Sequence, residues 1–188
     1  MDYANLSSQA LMDLCNAYFL TSEEVNAEKN GTPGFQYRKR DYATYASASK
    51  ELAKRGREVI EWARRLLTHP DYDARELGAT LLGFLGERRE LGSREDQIVD
   101  DLCKLATRPL NYDGKELQAV SAAIDALGRI GNRRSIATLV KVLSDTSDGD
   151  SQWMAADALG KILHVPFAQE EDPVASAQQW LKDNDHSN

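Results

Sequence analysis

The chain has 188 residues, of which 41% are hydrophobic and 28% charged, and it carries a formal net charge of −7. This is enough apolar material for one domain or one continuous array with a real core. No run approaches the roughly 18–20 apolar residues that a membrane span requires. The acid is concentrated toward the end: residues 1–40 carry four basic and five acidic side chains, residues 41–92 nine of each, and residues 93–188 ten basic and sixteen acidic. An acidic second half argues against a broad nucleic-acid footprint and suits a basic protein partner, although solubility alone accounts for most such imbalances.

The start, MDYANLSSQALMDLC, is acidic and lacks a positive n-region, so no signal peptide is expected and a cytoplasmic protein is the reading. Residues 7–20 predict a helix capped by Ser7 or Ser8, with Leu11, Leu14, Cys15, Tyr18 and Phe19 on its stripe. Residues 21–40 show no period and contain Gly31, Pro33 and Gly34, so the expectation is a loop that is either mobile or functional. Residues 42–68 predict one long helix or two short ones, with Tyr45, Leu52, Val59, Ile60, Ala63, Leu66 and Leu67 on one side and Gly56 marking a kink or break. His69-Pro70-Asp71 stops this run, and Asp71 or Asp73 can cap the next helix, residues 74–89.

After a turn at Leu91-Gly92-Ser93, residues 95–107 predict a helix that buries Ile98, Val99, Leu102, Cys103 and Leu105. A linker at 108–114 leads into a helical hairpin, residues 117–145. Its first stripe is Val120, Ala123, Ile124, Leu127 and Ile130, its turn is Gly131-Asn132, and its second stripe is Ile136, Leu139, Val140 and Leu143. A polar turn, a helix at 151–164 and a last helix from Asp172-Pro173 complete the chain, with a frayed tail at 185–188. Cys15 and Cys103 both fall inside apolar patterns, which predicts small buried hydrophobes in a reducing compartment.

Three segments align without gaps on a Leu-Gly pair: ARELGATLLGFLG (74–86), AVSAAIDALGRIG (119–131) and SQWMAADALGKIL (151–163), at offsets of 45 and 32 residues. Gly78, Ala79, Ala123, Ala155 and Ala156 are small enough to let neighbouring helices approach, while Leu82, Leu127 and Leu159 supply the knob. The pattern resembles HEAT repeats, in particular the short HEAT-like form also found in phycobilin lyases. In that family the second helix of each pair reads roughly Val-Arg-x-x-Ala-Ala-x-Ala-Leu-Gly, after a turn that carries Asp. Ala74-Arg75 falls on the Val-Arg position, and Asp71 and Asp145 resemble the turn Asp. The Arg position holds Val120 and Gln152 in the other two segments, so the family's Asp–Arg ladder is partial. The resemblance covers about residues 57–184 and implies an all-α, right-handed solenoid of HEAT-like helix pairs, with residues 1–56 as an N-terminal helical cap. It also implies an interaction scaffold, because such repeats serve many partners.

The chain has no P-loop, G-x-G-x-x-G, H-E-x-x-H, G-x-S-x-G or C-x-x-C. His69, His164 and His186 are far apart and lack ligand-like neighbours, and the adjacent Asp100 and Asp101 cannot both face one site on a helix. No catalytic residue, metal site or cofactor is therefore assigned. The expected function is a non-catalytic protein–protein interaction module, in one version an immunity-type or inhibitory protein that binds a basic partner. Its working surface would be the inner faces of the aligned helices, with Arg75, Glu76, Thr80, Phe84, Gln118, Ser121, Asp125, Arg129, Gln152, Trp153 and Lys161 as candidate contacts. A second cluster runs from Phe35 to Tyr42, where aromatics interleave with basic residues. There Phe35, Tyr37, Arg38 and Arg40 are candidates to anchor a protein or to stack bases and pair phosphates. The alternative is a HEAT-like enzyme or enzyme subunit such as a bilin lyase or an alkylpurine DNA glycosylase. A glycosylase needs a basic concave face with aromatics, so the sign of the inner-face charge separates the two readings.

Overall fold

The structure, a computed structural model, describes residues 2–109, 115–145 and 148–184, and among these no residue is in a strand. The tail at 185–188, most of the linker at 108–114 and part of the polar turn after Asp145 lie outside the described residues. Helix α1 (Ser8–Tyr18) is capped by Ser7, whose hydroxyl accepts from the Ala10 N–H at 3.2 Å. Helix α2 (Ser22–Lys29) lies inside the segment expected to be a loop, where Thr21 and Glu24 form a reciprocal capping box. Eight residues with only Val25 and Ala27 buried among the apolar ones are too few to show a period, which is why the sequence reads as a loop here. Helix α3 (Tyr42–Leu52) is capped by Asp41. The run from 42 to 68 is two helices, because Gly56 takes φ +68° and a 3-10 turn over Gly56–Val59 redirects the chain into α4 (Ile60–Leu66).

The remaining elements are α5 (Tyr72–Glu87), α6 (Glu95–Ala106), α7 (Lys115–Ile130), α8 (Ile136–Asp145), α9 (Gly149–Leu163) and α10 (Pro173–Asp183). Helices α5, α7 and α9 pack side by side in one row. Behind them α4 packs on α5, α6 on α7 and α8 on α9, while α10 packs against α9 at the far end. Helices α1 and α3 pack on each other at the near end. This is an all-α repeat fold in which each pair buries its stripe against the next. Cys15 is fully buried and its thiol is pushed up to about 12 by desolvation, which leaves it inert; Cys103 is half-buried.

The alignment on Leu-Gly is a structural one. A Cβ on Gly83 of α5 would lie 3.0 Å from the Cα of Ala126 on α7, and a Cβ on Gly128 of α7 would lie 2.9 Å from the Cα of Ala158 on α9. The same contact is made twice: the glycine of one repeat meets the alanine just before the Leu-Gly pair of the next. Leu82, Leu127 and Leu159 are each 0% exposed. Gly128→Val should cost about 1–3 kcal/mol by overpacking this crossing. Gly149→Ala, where a new Cβ meets nothing within 4 Å, should stay within about 0.5 kcal/mol of wild type. Urea melts of the two variants check this, and equal losses would mean that the helices do not cross at the aligned glycine.

The N-terminus of α5 ties three parts of the chain together. Asp71 is fully buried; it accepts from the Asp73 N–H at 2.9 Å and from the Leu20 N–H. Arg75, 2% exposed, donates to the carbonyls of His69 and Pro70 through one nitrogen and pairs with Glu116 of α7 through another.

Candidate partner-binding groove

The row of α5, α7 and α9 presents a polar face away from α4, α6 and α8. Residues spaced three and four apart, Asp73, Glu76, Leu77 and Thr80 on α5, then Gln118, Ser121, Ala122 and Asp125 on α7, share that face with Asp150, Trp153 and Met154 on α9. Helix α3 walls one side through Tyr42, Tyr45, Ala46 and Ser49, joined by Tyr18 at the end of α1. Together they enclose an open groove of about 1120 Å³.

Four carboxylates line the groove, those of Asp73, Glu76, Asp125 and Asp150, and no Lys, Arg or His is among its lining residues. Asp125 is paired from outside, with Arg129 at 2.6 Å and Lys161 at 3.3 Å. Asp73 is paired with Arg40. Glu76 and Asp150 have no cationic partner among the described residues. Burial, with Asp73 adding to it, pushes the Glu76 carboxyl above its ordinary range. The aromatics are arranged as a set: Tyr18 and Tyr45 stack at 4.3 Å, and Tyr42 meets both at 6.1 and 6.0 Å. Tyr42 is 66% and Trp153 47% exposed, which makes them two of the three large exposed hydrophobic side chains among the described residues. Among the described residues, no group of three or more His, Cys, Asp and Glu side chains is placed to hold a metal ion.

The HEAT-repeat family model matches residues 115–188, from α7 to the end of the chain. Residues 115–188 are HEAT repeats. No curated protein matches the chain. Within the row of α5, α7 and α9, the structure brings together six of the residues picked from the sequence: Glu76, Thr80, Gln118, Ser121, Asp125 and Trp153 all line the groove. Phe84, Arg129 and Lys161 lie beyond its end. The Arg129 guanidinium sits 4.9 Å from the Phe84 ring centroid and also pairs with Glu87, while Lys161 pairs with Asp157 at 2.7 Å.

Two expected contacts of the inner face are corrected. Arg75 is in the interior, because its guanidinium is consumed by two carbonyls and Glu116. Its carboxylate partner comes from the helix of the next repeat rather than from a turn Asp; the side chain of Asp145 lies outside the described residues. Gln152 folds away from the groove to donate to the Leu143 carbonyl at 3.2 Å. The second cluster is also placed differently from the expectation of partner anchors. Arg38 donates to Glu24 at 3.0 Å and to the Phe19 carbonyl at 2.7 Å. Arg40 donates to the Tyr18 carbonyl at 2.8 Å and stacks 3.9 Å over the Tyr18 ring. Both fasten the chain's own extended segment onto α1, α2 and α5. Phe35 packs edge-on against Tyr37, and Tyr37 is 47% exposed outside the groove.

The pairing with Arg38 pulls the Glu24 carboxyl down from its ordinary 4.5 to about 2. A depressed carboxylate contributes stability that is complete above its unfolded value and lost as the pH falls through the folded one. The segment should therefore stay fastened at pH 4 and release toward pH 2. The Arg38 amide, which donates to Glu24 at 3.1 Å, reports this by NMR, and a titration midpoint near 4.5 would contradict it.

The sequence did not reveal the α3 wall. Sequence pattern puts Tyr42 in the aromatic-basic cluster, Tyr45 on a core stripe and Asp73 at a helix cap. The available signal was the i, i+3 tyrosine pair followed by the small residues Ala46 and Ser49, which leaves an aromatic edge beside open space.

Proposed function

We propose that the chain is a non-catalytic protein-interaction module whose groove receives a basic segment of a partner protein. One observation carries this reading: a concave surface with four carboxylates, four aromatic side chains and no basic residue in its lining. Such a surface is complementary in charge to a cationic segment, and Tyr and Trp are the side chains that most often anchor protein contacts. A nucleic-acid ligand would call for the opposite sign. One concrete version, by analogy, is a cytoplasmic inhibitory or immunity-type protein that covers a basic surface of its target. The repeat array is taken to begin near residue 57, since α4 packs on α5 as α6 packs on α7 and α8 on α9. Among the described residues no helix is long and apolar enough to cross a membrane.

The test is binding kinetics against the partner recovered by affinity capture from the native host. Its association rate should fall steeply with added salt, because surface charges are screened beyond about 8 Å at physiological ionic strength. Trp153→Ala should raise the dissociation rate about tenfold or more, as loss of a desolvated anchor does. An association rate indifferent to salt, together with wild-type binding by Trp153→Ala, would overturn the reading. Tight, salt-sensitive binding to duplex DNA would replace it with a nucleic-acid function.

A further inference from the structure

The groove's own edge shows how this surface takes a cation. Arg40 lies over the Tyr18 ring at 3.9 Å, with its guanidinium paired to Asp73. An aromatic face and a carboxylate thus hold one guanidinium from the chain itself. The groove lining holds a carboxylate and an aromatic side chain at two further places. One turn along α5 from Asp73, Glu76 lines the groove, as does Tyr45 of α3. On α9, Asp150 and Trp153 are three residues apart and both line the groove. Neither Glu76 nor Asp150 has a cationic partner among the described residues.

We infer that the groove reads two cationic side chains, Lys or Arg, carried on one extended segment of a partner protein. One sits at Glu76 with Tyr45 and the other at Asp150 with Trp153. The spacing follows from the fold. Helices α5 and α9 are separated by α7, so their axes are about two packing distances apart, roughly 16–20 Å. An extended strand advances about 3.3 Å per residue, which places the two cations about five or six residues apart. The inference rests on the groove reading above and specifies the partner's chemistry.

The probes are N-acetylated, C-amidated synthetic peptides of Gly and Ser with two Arg residues two, five, six or nine positions apart, titrated into the full chain by NMR. The five- and six-residue spacings should bind about fivefold or more tighter than the two- and nine-residue spacings. Glu76→Gln and Asp150→Asn should each lower that affinity about tenfold and abolish the preference for spacing. Glu170→Gln, on an exposed turn outside the groove, should do neither. Glu76→Gln should not melt below wild type, because burial already disfavours the charged form. A loss of binding at unchanged stability thus separates recognition from folding. Affinity that ignores spacing, no detectable binding of any of the peptides, or variants no weaker than Glu170→Gln would each overturn the inference. If the captured partner still showed salt dependence and the Trp153→Ala effect, the groove reading would survive while the two-cation rule fell.

Discussion

Arg75→Ala should destabilise the fold by about 3–5 kcal/mol, the cost of breaking a buried ion pair from one side. Arg75 is 2% and Glu116 5% exposed, so neither charge has water to fall back on. Alanine would strand the Glu116 carboxylate and remove the donor to the carbonyls of His69 and Pro70 at the α4–α5 turn. Arg108 reaches the other Glu116 oxygen at 3.3 Å, but it is 42% exposed and offsets only part of the loss. Urea melts measure the effect. A double variant, Arg75→Met with Glu116→Met, should recover most of the stability, because a pair replaced by apolar groups of similar volume leaves no orphan charge. A loss under about 1 kcal/mol in Arg75→Ala would mean that the pair is not buried in solution.

Leu127→Ala should cost about 2–5 kcal/mol. Leu127 is 0% exposed on α7, the helix that packs against both α5 and α9. A cavity there loosens both repeat interfaces at once, and nearest-neighbour interfaces supply most of the stability of a repeat array. Gln118→Ala, on the exposed groove side of the same helix, should stay within about 0.5 kcal/mol of wild type. Equal effects at the two positions in urea melts would contradict the assignment of faces on α7.

The apolar side of this molecule was legible from periodicity. The stripes on α7 and α8, the break at Gly56, the stop at Pro70 and the Leu-Gly alignment all encode burial and backbone geometry, which leave a period or a punctuating residue. The polar side was only half legible. A period says which flank of a helix is wet, but not whether a long side chain reaches outward or folds back. Arg75, Gln152, Arg38 and Arg40 all turn to backbone carbonyls or carboxylates of the chain itself. Arg38 and Arg40 reach back about twenty residues and Arg75 reaches Glu116 in the next repeat, while the Arg75 and Gln152 bonds to carbonyls cross irregular turns; neither kind of contact leaves a period in the sequence. Short α2 escaped for a related reason: its stability comes from a capping box and from Arg38, which lies fourteen residues after Glu24.

The most direct test of the central claim, that the acidic aromatic groove is where the partner sits, is hydroxyl-radical footprinting of the chain alone and bound to its captured partner. Tyr42 and Trp153 stand exposed in the groove at 66% and 47%, while Tyr37 is equally open at 47% outside it. The account predicts that binding strongly suppresses oxidation of Tyr42 and Trp153 and leaves Tyr37 as reactive as in the free protein. Protection of Tyr37 with Tyr42 and Trp153 unchanged would place the partner elsewhere and contradict it.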